Sequence, residues 1–183
     1  MSEQQLVRQC APTLAGIKTG SLFTCPMGSW SVLLGQLRSW NGVFRKKGLR
    51  LLPLRVKNRR VLLYLYRPKL LARDLQSPEA AELLKSCGYA PLDGTSCLPM
   101  LIRRLKYSPK FPHEIGLFLG YPPEDVRGFM ECGARRCKCT GCWKVYGDEA
   151  AAVRRFCQYK ACTEIYCRQL ARGVPIERLT VAL

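Results

Sequence analysis

Leu49-Arg-Leu-Leu-Pro-Leu-Arg-Val56, then Lys57-Asn-Arg-Arg60, then Val61-Leu-Leu-Tyr-Leu-Tyr66: two apolar runs flank a short polar turn. Leucine, valine and tyrosine suit a pleated surface, and the break between the runs is hairpin-sized, so the stretch reads as an antiparallel hairpin. Leu62, Tyr64 and Tyr66 fall on one face of the second strand, and Val61, Leu63 and Leu65 on the other. A strand apolar on both faces is covered on both, so this one belongs in the middle of its sheet. Pro68 closes it.

Before the hairpin, residues 3–9 read as a helix that stops near Cys10, because Pro12 pushes Ala11 towards extended geometry. Residues 13–25 read as extended, in two pieces around Lys18-Thr19-Gly20. Ser29 or Ser31 starts a helix with Val32, Leu33, Leu37, Trp40 and Phe44 at helical spacing, ending at Lys46-Lys47-Gly48.

After the hairpin the pattern turns helical. Leu70–Leu75 is short, and Ser77-Pro78-Glu79 opens a helix that closes at Cys87-Gly88. Thr95 or Ser96 starts the next, striped by Leu98, Leu101, Ile102 and Leu105. Two short helical pieces follow over 111–126, the second running to Gly133. Residues 133–141 form a glycine, arginine and cysteine loop, and 142–147 a strand. A long helix then spans 149–172, and the tail 174–183 reads as a further short strand. The expectation is one α+β domain over 1–183, a small, mostly antiparallel sheet (hairpin 49–66 with strands near 13–25 and 142–147) packed against several helices.

Of 183 residues, 48% are apolar and 23% charged, which suits a folded core and argues against global disorder. No apolar run reaches the roughly 18 residues of a membrane span, so no membrane partner is expected. The polar start Met-Ser-Glu-Gln-Gln lacks a signal-peptide pattern, which points to the cytoplasm. There the eleven cysteines, an odd number, would not form a disulfide framework. The net charge of +17 is uneven: residues 1–66 hold eleven cations against one acid. An anionic ligand or an acidic partner fits that balance, as does a solvated basic surface.

Four groups of residues could carry chemistry. His113, the only histidine, sits beside Glu114 at a helix start, with Gly116 and Gly120 three and seven residues on. A helical face with no bulk beyond the imidazole invites a close approach, by a ligand or by a packed neighbour. Cys10 and Lys18 form a second pair, in which a cation near a thiol would favour the thiolate, and a buried cysteine with a solvated lysine is the plainer alternative. Cys132, Cys137, Cys139 and Cys142 lie within eleven residues, enough thiols for zinc or an iron–sulfur cluster. Their spacing is neither a paired knuckle nor a ferredoxin run, and Cys139-Thr-Gly-Cys142 alone is a metal half-site or a redox pair. Lastly, Lys57, Arg59 and Arg60 beside Tyr64 and Tyr66 could stack and neutralise nucleic acid, or the tyrosines could be core. Nucleic acid ranks last, because no recognised binding motif accompanies them.

Three motifs together resemble a family: Cys10-Ala-Pro-Thr-Leu-Ala-Gly-Ile-Lys18, Phe111-Pro-His-Glu-Ile-Gly-Leu-Phe-Leu-Gly-Tyr-Pro122 with Glu124-Asp-Val126, and Gly141-Cys-Trp-Lys-Val-Tyr146. They are similar to a family of clostridial and related anaerobic-bacterial proteins known as a domain of unknown function. The resemblance implies a shared site at Cys10, Lys18, His113 and Glu114, with Trp143 and Lys144 holding a ligand or cofactor nearby. It also implies an iron-linked setting and an acidic partner such as a flavodoxin. The resulting expectation is a small enzyme or redox-linked protein. The alternatives are a metal-binding accessory protein built on the loop cysteines and a basic nucleic-acid-binding module.

Overall fold

The computed structural model describes residues 1–89 and 97–183, which divide into two compact units. One comprises Met1–Lys69 with Tyr159–Leu183, the other Leu70–Gln158.

The first unit begins with α1 (Glu3–Leu14), followed by β1 (Gly20–Pro26), α2 (Trp30–Lys46), β2 (Arg50–Lys57) and β3 (Arg60–Tyr66). The sheet is antiparallel in the order β1-β3-β2, so β3 is central as its two apolar faces require. Lys57 pairs with Arg60 across a two-residue turn, with Asn58 and Arg59 both at positive φ. Such mirror-image turns match the twist of the strands they join. Pro53 sits on the edge strand β2 beside a bulge at Leu54, where a missing N–H breaks no central ladder. Asn41 of α2 clamps that edge strand: its amide donates to Leu51 O at 2.8 Å, and its Oδ1 accepts from Leu51 N–H at 2.9 Å. Val61, Leu63 and Leu65 share a core with Leu6, Cys10 and Leu14 of α1 and Leu33, Leu37 and Phe44 of α2.

The first helix runs five residues beyond the expected stop. Pro12 lies inside α1, and Cys10 to Leu14 are all buried. The bond that proline forfeits is the one to Arg8, an exposed residue, while burial of the Leu6–Cys10–Leu14 face favours continuing the turn. Only the later part of the 13–25 stretch is therefore strand. The tail also departs from expectation. It folds as α9 (Ile176–Leu179), with Ile176 fully buried in the same core.

Arg67, just after β3, is 1% exposed and donates four hydrogen bonds to main-chain carbonyls. Nε reaches Thr13 O at 2.8 Å, Nη1 reaches Lys47 O at 3.2 Å, and Nη2 reaches Leu14 O at 2.7 Å and Val181 O at 2.8 Å. Three of these acceptors belong to the ends of α1 and α2, where carbonyls lack intrahelical partners and the helix dipole is negative. One guanidinium thus closes two helices and pins the tail.

The second unit contains α4 (Pro78–Ser86), α5 (described from Cys97, Cys97–Tyr107), α6 (Ile115–Phe118), α7 (Pro123–Cys132), β4 (Cys139–Thr140) and β5 (Lys144–Val145). The helix start expected at Thr95 or Ser96 lies outside the described residues. A short α3 (Pro68–Leu75) precedes these elements, and the 23-residue α8 (Glu149–Ala171) follows them, each carrying residues of both units. Ser77 caps α4, as its position suggested, and Asp148 caps α8. The strand near 142–147 pairs with β4 as a separate small hairpin rather than joining the larger sheet. Helices and small antiparallel sheets make the chain α+β. No helix of the described residues is long and apolar enough to cross a membrane.

Candidate functional site: a cavity in the second unit

Pro122 and Pro123 start α7, and Asp125 falls in its first turn. An acid there is favourable on dipole grounds alone, but this one is 2% exposed and holds the β5 segment in place. Its Oδ2 accepts from Trp143 Nε1–H at 2.7 Å, and its Oδ1 from the N–H groups of Tyr146 at 2.6 Å and Gly147 at 2.8 Å. Trp143 is thereby fixed, stacked on Tyr121 (4.8 Å between centroids) and edge-on to Phe156 (4.5 Å). Any side chain at Gly141 would run into the Phe156 ring, so the turn of the small hairpin packs onto that ring.

Between α6, α7 and this hairpin lies a cavity of about 290 Å³. Its apolar wall includes Ile115, Leu119, Val126 and Phe129. Its polar lining includes His113, Thr140 and Lys144, and the last two are joined Nζ to Oγ1 at 3.4 Å. The His113 ring is exposed and stands edge-on to Phe129 at 4.9 Å. The cavity therefore gathers three residues singled out in the sequence: His113, Trp143 and Lys144.

The glycine face differs from the expected arrangement. α6 is a single turn, preceded by His113 and Glu114 rather than containing them. A Cβ at Gly116 would lie 2.7 Å from Val126 Cγ2, so this glycine lets α7 approach. Gly120 adopts φ +75° and ends the turn instead of extending a face.

Glu114 faces away from its neighbour. It is 2% exposed, and its Oε1 lies 2.7 Å from Arg104 Nε and accepts from Tyr89 O–H at 3.1 Å. The Nε–H is not well aimed at that oxygen, so the contact is better described as an ion pair than as a hydrogen bond. Arg104 Nη1 also donates to Cys87 O at 2.7 Å. Burial, then the Glu114 charge, pushes the Tyr89 phenol above its ordinary range. Glu114 is a buried structural carboxylate and does not line the cavity.

Cys10 and Lys18 belong to the first unit. Lys18 is close enough for its charge to act on the thiol, and its Nζ donates to Gly20 O at 2.5 Å. Burial dominates, however: Cys10 is fully buried, and its thiol is pushed up to about 12. A folded-state value raised from 9.0 contributes stability that is intact below pH 9 and lost as the pH climbs towards 12. Alkaline unfolding curves over that window should flatten in Cys10→Ala. In thiol labelling, exposed Cys142 and Cys157 should react at once and Cys10 roughly 10³-fold more slowly, limited by opening of the fold. A Cys10 that labels as fast as Cys157 would contradict this placement.

All eleven cysteines are free thiols. Cys139 is in β4 opposite Val145, its thiol raised by partial desolvation and then by Glu149. Cys137 approaches Ala134 O at 3.6 Å and Thr140 Oγ1 at 3.8 Å. Among the described residues no three His, Cys, Asp or Glu side chains stand so as to hold one metal ion. Zinc or an iron–sulfur cluster on Cys132, Cys137, Cys139 and Cys142 would therefore require the loop to rearrange. On the larger hairpin, Tyr64 and Tyr66 are buried and stacked on each other at 4.8 Å, so they are not open to stacking with bases.

Asp125, Thr140, Phe129 and Tyr121 were not singled out in the sequence. The one signal for Asp125 was its place inside the histidine motif, where it looked like an ordinary first-turn acid.

Fold and site together define an α+β protein with an aromatic-walled cavity beside its only histidine. Residues 6–180 match the family described as "Protein of unknown function (DUF3793)", and the chain belongs to that family. No curated protein and no solved structure matches it.

Proposed function

We propose that the second unit binds a small molecule in the cavity between α6, α7 and the β4–β5 hairpin. His113 is the lining group able to exchange a proton with it, and Lys144 and Trp143 hold it. The observation that carries this reading is the convergence of those three residues on one cavity. Its volume lies at the lower edge of the roughly 300–1,000 Å³ typical of ligand pockets, and it combines an apolar wall with few polar groups, as such pockets do. Any chemistry would rest on His113 rather than on Glu114 or Cys10, since the latter two are enclosed by their own packing.

The test is ligand-observed NMR with a cocktail of small aromatic fragments. Fragments should bind the native protein and be displaced from Thr140→Trp, a substitution at an exposed lining residue that would occlude the cavity. Equal binding to both proteins would count against the cavity as the site.

A further inference from the structure

We infer that the ligand of this cavity is a small carboxylate with an apolar or aromatic body, its anionic end at Lys144 and Thr140. The inference rests on the cavity being a ligand site. The lining offers donors and no spare anionic acceptor. The one acid among the described lining residues, Asp125, already accepts three hydrogen bonds, from Trp143, Tyr146 and Gly147. Lys144 Nζ donates to Thr140 Oγ1, and the hydroxyl hydrogen can turn to a guest when the Cys137 thiol, 3.8 Å away, acts as donor to the same oxygen. An ammonium and a hydroxyl side by side suit a carboxylate, and a cationic guest would meet Lys144 on a chain of net charge +17.

A phosphate fits less well. Lys144 is the only Lys or Arg among the described lining residues, too little for a dianion. The first turn of α7, beside the cavity, carries Glu124 and Asp125, so the helix start does not help to balance a second negative charge. The remaining lining (Ile115, Leu119, Val126, Phe129) calls for an apolar body, which Val126 and Phe129 would flank.

The experiment titrates the full chain with phenylacetate, phenylacetamide, phenethylamine and phenyl phosphate, following backbone amide shifts. Phenylacetate should bind about tenfold more tightly than its amide, with shifts at Thr140, Lys144 and Val126. Lys144→Met should weaken phenylacetate far more than phenylacetamide and bring the two to about equal affinity. If acid and amide bind the native cavity equally, or if the amine or the phosphate binds best there, the carboxylate assignment is overturned and the cavity remains a ligand site. If none of the four shifts cavity residues, the ligand-site reading falls with it.

Discussion

Arg67→Met should lower the stability of the first unit by about 3–5 kcal/mol, the sum expected when several buried carbonyls lose a charge-assisted hydrogen bond. The side-chain volume is nearly kept, so the loss comes from polar groups. Thr13, Leu14, Lys47 and Val181 each lose a donor to their carbonyl oxygens, and these acceptors meet at a residue 1% exposed. A buried group left unsatisfied costs about 1–3 kcal/mol, and the sum stays below four full penalties because Thr13 O and Leu14 O still accept from the N–H groups of Gly16 and Val181. Arg67→Lys should recover little, because one ammonium cannot reach acceptors at two helix ends and the tail together. Urea unfolding checks both. Arg127→Ala provides the contrast: its ion pair with Glu82 joins two exposed side chains at 3.0 Å, and its loss should cost less than about 1 kcal/mol.

The second large effect is expected at Asp125. In Asp125→Asn one acceptor oxygen remains, and an NH₂ group must face at least one of the N–H donors of Trp143, Tyr146 and Gly147. Both partners in that contact are donors, so a hydrogen bond is replaced by repulsion. A loss of roughly 2–4 kcal/mol follows from removing charge-assisted bonds to a buried carboxylate. The local effect should be clearer than the global one. The Trp143 indole N–H should lose its protection from hydrogen exchange, while exchange at the indoles of Trp30 and Trp40 in the first unit should not change. Because Asp125 positions the Trp143 wall, binding in the cavity should weaken with it.

The larger sheet could be read from residues 49–66 because its cause is local: alternating apolar side chains on both faces of one strand, and a two-residue turn. Caps at Ser29, one of two serines offered, and at Ser77 were legible for the same reason. The course of α1 past Pro12 was not. The burial that outweighs the proline comes from strands and helices far along the chain. Arg67 was invisible as a hub, since its acceptors lie between 20 and 114 residues away.

The site shows the same divide. His113, Trp143 and Lys144 stood out through their motifs, and they do converge on one cavity. Glu114 stood out by lying next to His113, but successive residues in a turn point different ways, and Arg104 and Tyr89 claim it. Cys10 drew notice for its chemistry, which depends on exposure, and exposure is decided by packing.

The most direct measurement is a ¹⁵N correlation spectrum of the full chain recorded as phenylacetate is added. The account predicts that the Trp143 indole resonance and the amides of Gly116, Val126, Thr140 and Lys144 shift together along one binding curve, while the Trp30 and Trp40 indoles stay still. Shifts confined to residues of the first unit, or none at saturating ligand, would contradict it.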